Sequence, residues 1–149
     1  MSLDVGLVAY REGEVELLDQ SFILETLGDL VEPRDSESWS VLWTDRKDYG
    51  GSLLFTERDD GSTIGFSINR PPFSLELLER LLVIMRQAPS IFWWPDPDVW
   101  ACSADPNILA EVPEGTFDRP EQCIIVSTVD EFAKIFGVEW DEESGGGAA

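Results

Sequence analysis

Asp96 and Asp98 bracket Pro97 beside Trp93, Trp94 and Trp100. A carboxylate pair among indoles is the one constellation here that a reaction could use. Glycosidases work with two such carboxyls, one giving a proton and the other acting as base or nucleophile, and the rings would suit a sugar-binding cleft. The specificity of this signal is low, because thirty Asp and Glu in 149 residues make close acid pairs unavoidable. The same acids serve equally well as turn caps while the tryptophans fill a core. Asp45, Asp48, Asp59 and Asp60 form a second set, on polar loops where carboxylates suit calcium. None stands in the D-x-[DN]-x-[DN]-G spacing of an EF-hand. They are expected to be solvated turn residues, and no metal or other cofactor is predicted.

Much other chemistry has no raw material. The chain has no histidine, which removes the commonest general base, the usual zinc nitrogen ligand and every Ser-His-Asp or Cys-His arrangement. Cys102 and Cys123 are the only cysteines. They do not form a CxxC pair and are expected to be free buried thiols. Neither a Walker loop nor a G-x-G-x-x-G fingerprint is present. Lys47 and Lys134, the only lysines, sit in no phosphate-binding motif.

Charge is the outstanding global feature. Thirty acids against ten Lys and Arg give a net charge of −20. Residues 1–37 hold ten acids and two bases, residues 38–110 ten and six, and residues 111–149 ten and two, so both ends are more acidic than the middle. Such a field repels nucleic acid and anionic membranes and draws in basic proteins at raised rates. A disordered acidic chain is not expected: 43% of residues are hydrophobic, with 8 Phe and 6 Trp, enough for one core at this length.

The elements that must position these side chains follow from periodicity and punctuation. Val5–Tyr10 reads as a strand, Arg11–Gly13 as a turn and Glu14–Leu18 as a returning strand. Ser21 is the expected cap of a helix carrying Phe22, Ile23, Leu27 and Leu30, ended by Pro33. Ser38–Thr44 places Trp39, Val41 and Trp43 on one face, and Asp45–Gly51 is a polar loop. Ser52–Arg58 and Ser62–Asn69 flank Asp59-Asp60-Gly61, a hairpin signal, which completes a three-stranded meander. Arg70-Pro71-Pro72 stops the sheet, with Arg70 expected in an ion pair with a nearby Glu. Ser74 caps a core helix over Leu75–Gln87, ended by Pro89. Pro89–Trp100 is too rich in proline for an ordinary helix, and its indoles either pack on the long helix or form an exposed patch. Val99–Ser103 is a short strand. Asp105, with Pro106, opens a short helix, and a loop covers Pro113–Pro120. Cys123–Ser127 reads as a buried strand. Thr128 and Glu131 form a capping box for a helix with Val129, Phe132, Ile135 and Phe136, closed by Gly137. The predicted fold is α+β: an antiparallel sheet, the central meander plus flanking strands, packed by two to four helices. Residues 1–141 form one domain and 142–149 a flexible Gly/Ala-rich tail. The N-terminus has no signal-like segment and no stretch is long enough to span a membrane, so the expected compartment is the cytoplasm.

With catalysis poorly supplied, the reading is a binding protein and not an enzyme, with no small-molecule substrate. The candidate partner-binding residues are Asp45, Asp48, Asp59, Asp60, Trp93, Trp94, Asp96 and Asp98, acids and aromatics placed on loops. In SLLFTERDDGSTIGFSINRPPFSLELLERLL and CIIVSTVDEFAKIFG, the order of hairpin, central helix, strand and capped terminal helix resembles immunity proteins of bacterial polymorphic or contact-dependent toxin systems. The resemblance spans residues 38–137 and rests on element order, so it transfers no site residue. It implies a cytoplasmic protein that occludes the active site of one cognate toxin, and a nuclease or deaminase toxin would be basic because its substrate is a polyanion. Two other classes compete. A phage-type DNA mimic would need carboxylates spaced like phosphates, and this chain has no long acidic helix. A secretion chaperone or adaptor would present an exposed apolar helix for dimerisation.

Overall fold

Val5, Leu7 and Ala9 alternate with Gly6, Val8 and Tyr10, and this period of two makes β1 (Asp4–Arg11) the middle of the main sheet. The computed structural model describes residues 4–35, 38–42, 49–56, 61–71 and 73–137. The further strands are β2 (Glu14–Val15), β3 (Leu18–Asp19), β4 (Val31–Pro33), β5 (Trp39–Leu42), β6 (Tyr49–Thr56), β7 (Ser62–Thr63), β8 (Gly65–Asn69), β9 (Ser90–Trp93), β10 (Ala101–Ser103) and β11 (Cys123–Ile125). The α-helices are α1 (Gln20–Leu27), α2 (Leu75–Gln87), α3 (Ile108–Glu111) and α4 (Val129–Phe136). Across the main sheet the order is β11-β10-β9-β1-β8-β6-β5-β4, with β2 folded back on β1 and a small separate β3-β7 pair. Among the described strands only β10 and β11 pair in parallel. The fold is α+β, and the expected meander is present as β5-β6-β8.

One sheet face carries the larger core. Leu7, Val41, Leu53, Phe66, Ile68 and Phe92 point into it, against α1, α2 and α4. Helix α2 forms as its sequence demands. The Ser74 hydroxyl accepts the Leu77 N–H at 3.1 Å, Leu77, Leu78, Leu81, Leu82, Ile84 and Met85 are buried, and Pro89 follows. Each such side chain contributes about 1.5–3 kcal/mol when fully buried. Arg80 ties α2 to α1, donating to the Leu27 carbonyl at 2.7 Å and to Asp29 at 3.2 Å while pairing with Glu76. A cation at the C-terminal end of α1 also suits the helix dipole. The opposite face carries a smaller cluster of Ile91, Ala101, Ile108, Val112 and Cys123, with Trp100 and Phe117 packed on it.

Several expectations need correction. The cap of α1 is Asp19, whose carboxylate accepts from Ser21 N–H at 2.9 Å. That helix closes at Gly28, and Pro33 instead lies in β4. The single strand foreseen over Glu14–Leu18 is two short pieces, one on β1 and one on β7. The strand foreseen over Ser62–Asn69 is two pieces interrupted at Ile64, and Gly65, which opens β8, sits so close to β1 that a Cβ there would fall 1.9 Å from the Leu7 carbonyl oxygen. The polar loop over Asp45–Gly51 is shorter than expected, since β6 begins at Tyr49. Asn107, not Asp105, precedes α3, and Asp105 accepts from Asn107 N–H at 2.9 Å in the preceding turn. Arg70 makes no ion pair among the described residues; it is exposed at φ 55. Cys123–Ile125 is not a buried strand. It forms one margin of the sheet, with Ile124 and Ile125 exposed.

Candidate partner-binding site

Strand pairing brings several chain segments to one end of the sheet. Asp4 stands opposite Asn69, Asn69 opposite Ser52, and Gly6 opposite Trp93. The starts of β1 and β6 and the ends of β8 and β9 therefore share a rim, and residues 94–100 leave from it. Helix α4 reaches the same end, because Phe136 packs on Phe73 at 4.4 Å and on Trp94 at 5.1 Å between ring centroids.

The three neighbouring tryptophans do not make a common cleft. Successive side chains on a strand point to opposite faces, so Trp93 and Trp94 separate. Trp94 turns into the larger core beside Phe92 and Phe136, with 9% of its surface exposed. Trp93 turns to the other face and lies half-buried over β1. A Cβ on Gly6 would come within 2.4 Å of its indole, so the glycine is what lets the ring lie there. Trp100 packs on Phe117 at 4.7 Å in the smaller cluster. The aromatic cleft that a sugar would need beside Asp96 and Asp98 is not formed by these rings.

What stays at the surface is the turn Pro95-Asp96-Pro97-Asp98, all four residues exposed. Its base is closed by Trp94 N–H on the Trp100 carbonyl at 3.0 Å, and Trp100 N–H in turn reaches the Gln122 carbonyl at 3.1 Å. One oxygen of Asp96 accepts Asp98 N–H at 2.8 Å. Pro95 and Pro97 restrict the backbone on either side of Asp96. The turn is thus anchored through buried Trp94, braced through Trp100, and held in shape before any partner arrives. The Asp98 carboxylate and the second oxygen of Asp96 project into solvent as acceptors for arginine or lysine.

Of the other expected binding residues, Asp45, Asp48, Asp59 and Asp60 lie outside the described residues, as does Trp43. Trp94 is buried. Two further exposed side chains stand at this rim: Asp4, at the start of β1 opposite Asn69, and Arg70, just past β8. Only the pairing of β1 with β8 and β9 brings Asp4 to the rim of the 94–100 turn.

The two thiols are on adjacent strands yet face apart. Ala101 pairs with Cys123 and Cys102 with Ile124, so Cys102 enters the larger core and Cys123 the smaller. Burial pushes both thiols up, Cys123 to about 11, which makes them poor nucleophiles and poor metal ligands at neutral pH. Among the described residues no group of three or more Cys, Asp or Glu is placed to hold a metal ion. No helix among them is long and apolar enough to cross a membrane. No family model, curated protein or solved structure matches this chain.

Proposed function

We propose that this chain is a binding protein that neutralises a basic protein partner, in the manner of a toxin-immunity protein acting in the cytoplasm. The observation that carries the reading is the exposed turn at Asp96 and Asp98, pre-shaped by two prolines and an internal hydrogen bond, on a chain of net charge −20. A pre-shaped turn avoids the ordering cost of roughly 0.5–1.5 kcal/mol per immobilised side chain that a floppy loop would meet on binding. Each exposed ion pair it makes is worth only about 0–1 kcal/mol. Affinity must therefore come mainly from contacts around the turn, while the acids act chiefly on encounter rate and orientation.

A basic toxin covered in this way would lose access to its own polyanionic substrate, which fits a nuclease or deaminase type of target. The test is growth. A toxic basic domain encoded beside this chain is expressed alone and with the chain present. Restored growth together with a one-to-one complex is expected. Continued toxicity despite ample amounts of both proteins refutes the reading.

A further inference from the structure

We propose that β11 is a docking edge that takes an extended, basic segment of the partner as an additional strand of the sheet. Val126 N–H donates to the Ser103 carbonyl at 2.9 Å, and the Gln122 carbonyl accepts from Trp100 N–H. Backbone groups alternate in direction along a strand, so the N–H and C=O of Cys123 and Ile125 point away from β10. Of these, the Cys123 N–H donates to the Pro120 carbonyl, while the Cys123 C=O and both groups of Ile125 have no partner among the described residues.

The side chains tell the same story. Cys-Ile-Ile-Val is the continuous apolar run expected of a strand covered on both sides, yet Ile124 is 38% and Ile125 40% exposed, on opposite faces of the strand. Charged side chains, inward lysines, bulges or an interior proline usually blunt a free edge. The run from Cys123 to Val126 contains none of them. An added strand would bond the Cys123 carbonyl and the N–H and carbonyl of Ile125 and cover both isoleucines.

Charge selects the occupant. A second copy would bring −20 against −20. Exposed acids also flank the edge, Asp118 and Glu121 before it and Asp130 and Glu131 after it, against Arg119, Lys134 and Arg86, which donates to the Ser127 carbonyl at 2.7 Å. A segment with apolar residues at its centre and lysine or arginine at its ends fits both features. The basic character of the occupant rests on the function proposed above; the edge itself does not.

The experiment uses the whole chain and a synthetic nonapeptide with a Val-Thr-Val-Thr-Val centre and two lysines at each end. Amide hydrogen exchange is followed residue by residue. The expected result is new protection at Ile125, with little change at Cys123, already bonded to the Pro120 carbonyl, or at Ile124 and Val126, which face β10. A version of the peptide N-methylated along one edge should bind at least about tenfold more weakly, and one with glutamates at its ends should not bind. Ile125→Pro, which removes an outward donor only, should weaken binding of the lysine-ended peptide at least about tenfold; the methylated peptide makes the same test on the unaltered chain. No protection at Ile125 in the natural chain, or binding insensitive to methylation and to the proline, overturns the docking edge and leaves a basic partner elsewhere standing. Equal binding of the glutamate-ended peptide overturns the basic occupant, and with it the charge argument of the proposed function. Protection that grows with protein concentration alone makes the occupant a second copy and overturns the proposal.

Discussion

Gly6 and Trp93 are expected to be strongly coupled, and the structure sets the size of the effect. They face each other across β1 and β9, and a Cβ on residue 6 would lie 2.4, 2.5 and 2.6 Å from three atoms of the indole. The ring cannot stay, so Gly6→Ala should cost about 1–3 kcal/mol, the usual penalty for overfilling a packed site. With the ring removed in Trp93→Ala, the three nearest atoms to that Cβ are gone and the strand backbone is extended. There it should be neutral or stabilise by roughly 0.4–1 kcal/mol, because alanine restricts the unfolded chain. The double-mutant cycle should therefore show a coupling of about 1–4 kcal/mol, beyond the ~0.5 kcal/mol scatter of independent sites. Urea unfolding measures it, and with slopes of about 1–3 kcal/mol/M the midpoint for Gly6→Ala alone should fall by around 1 M. Equal costs of Gly6→Ala in both backgrounds would falsify the placement of Trp93.

Thr128→Ala should lower stability by about 1 kcal/mol in urea unfolding, because its hydroxyl accepts Glu131 N–H at 3.2 Å at the start of α4; no change would remove it as the cap. Both thiols should resist alkylation in the folded chain and react readily once it is unfolded, with Cys123 ahead of Cys102 because it is less buried. Mild oxidation should produce no bond between them, and a mass loss of two hydrogens in the folded monomer would contradict their opposite facing. Burial raises both thiols and the Tyr10 phenol, so above the ordinary thiol value of 9.0 the unfolded chain releases protons that the folded chain keeps. Stability from these thiols is fully present below pH 9 and is lost as pH rises toward about 11; replacing both cysteines by alanine should flatten that fall, and an unchanged slope would refute the assignment.

Local signals made the helices legible where they were unambiguous. Ser74 and Pro89 bound α2 as read, and Thr128 and Gly137 bound α4. For α1 the expected cap, Ser21, lies two positions past the actual one, Asp19, which pairing of Leu18 and Asp19 with β7 sets at the start of the helix. The central place of β1 was not legible, because it depends on pairing with β8 and β9, more than fifty residues away in sequence. Composition misled at Cys123–Ile125, whose apolar run reads as interior although the chain path leaves it at a margin. At the candidate site, Asp96 and Asp98 were legible as loop acids. The divergence of Trp93 and Trp94 depended on knowing that they follow one another at the end of a strand.

The most direct test of the central claim is the association rate with the basic partner, measured against ionic strength for the natural chain and for Asp96→Asn with Asp98→Asn. Steering by this acidic surface predicts a rate that drops steeply as salt rises, and a double variant about 2–5-fold slower at low salt with a shallower dependence. A rate indifferent to salt, and equal in the two proteins, would contradict it.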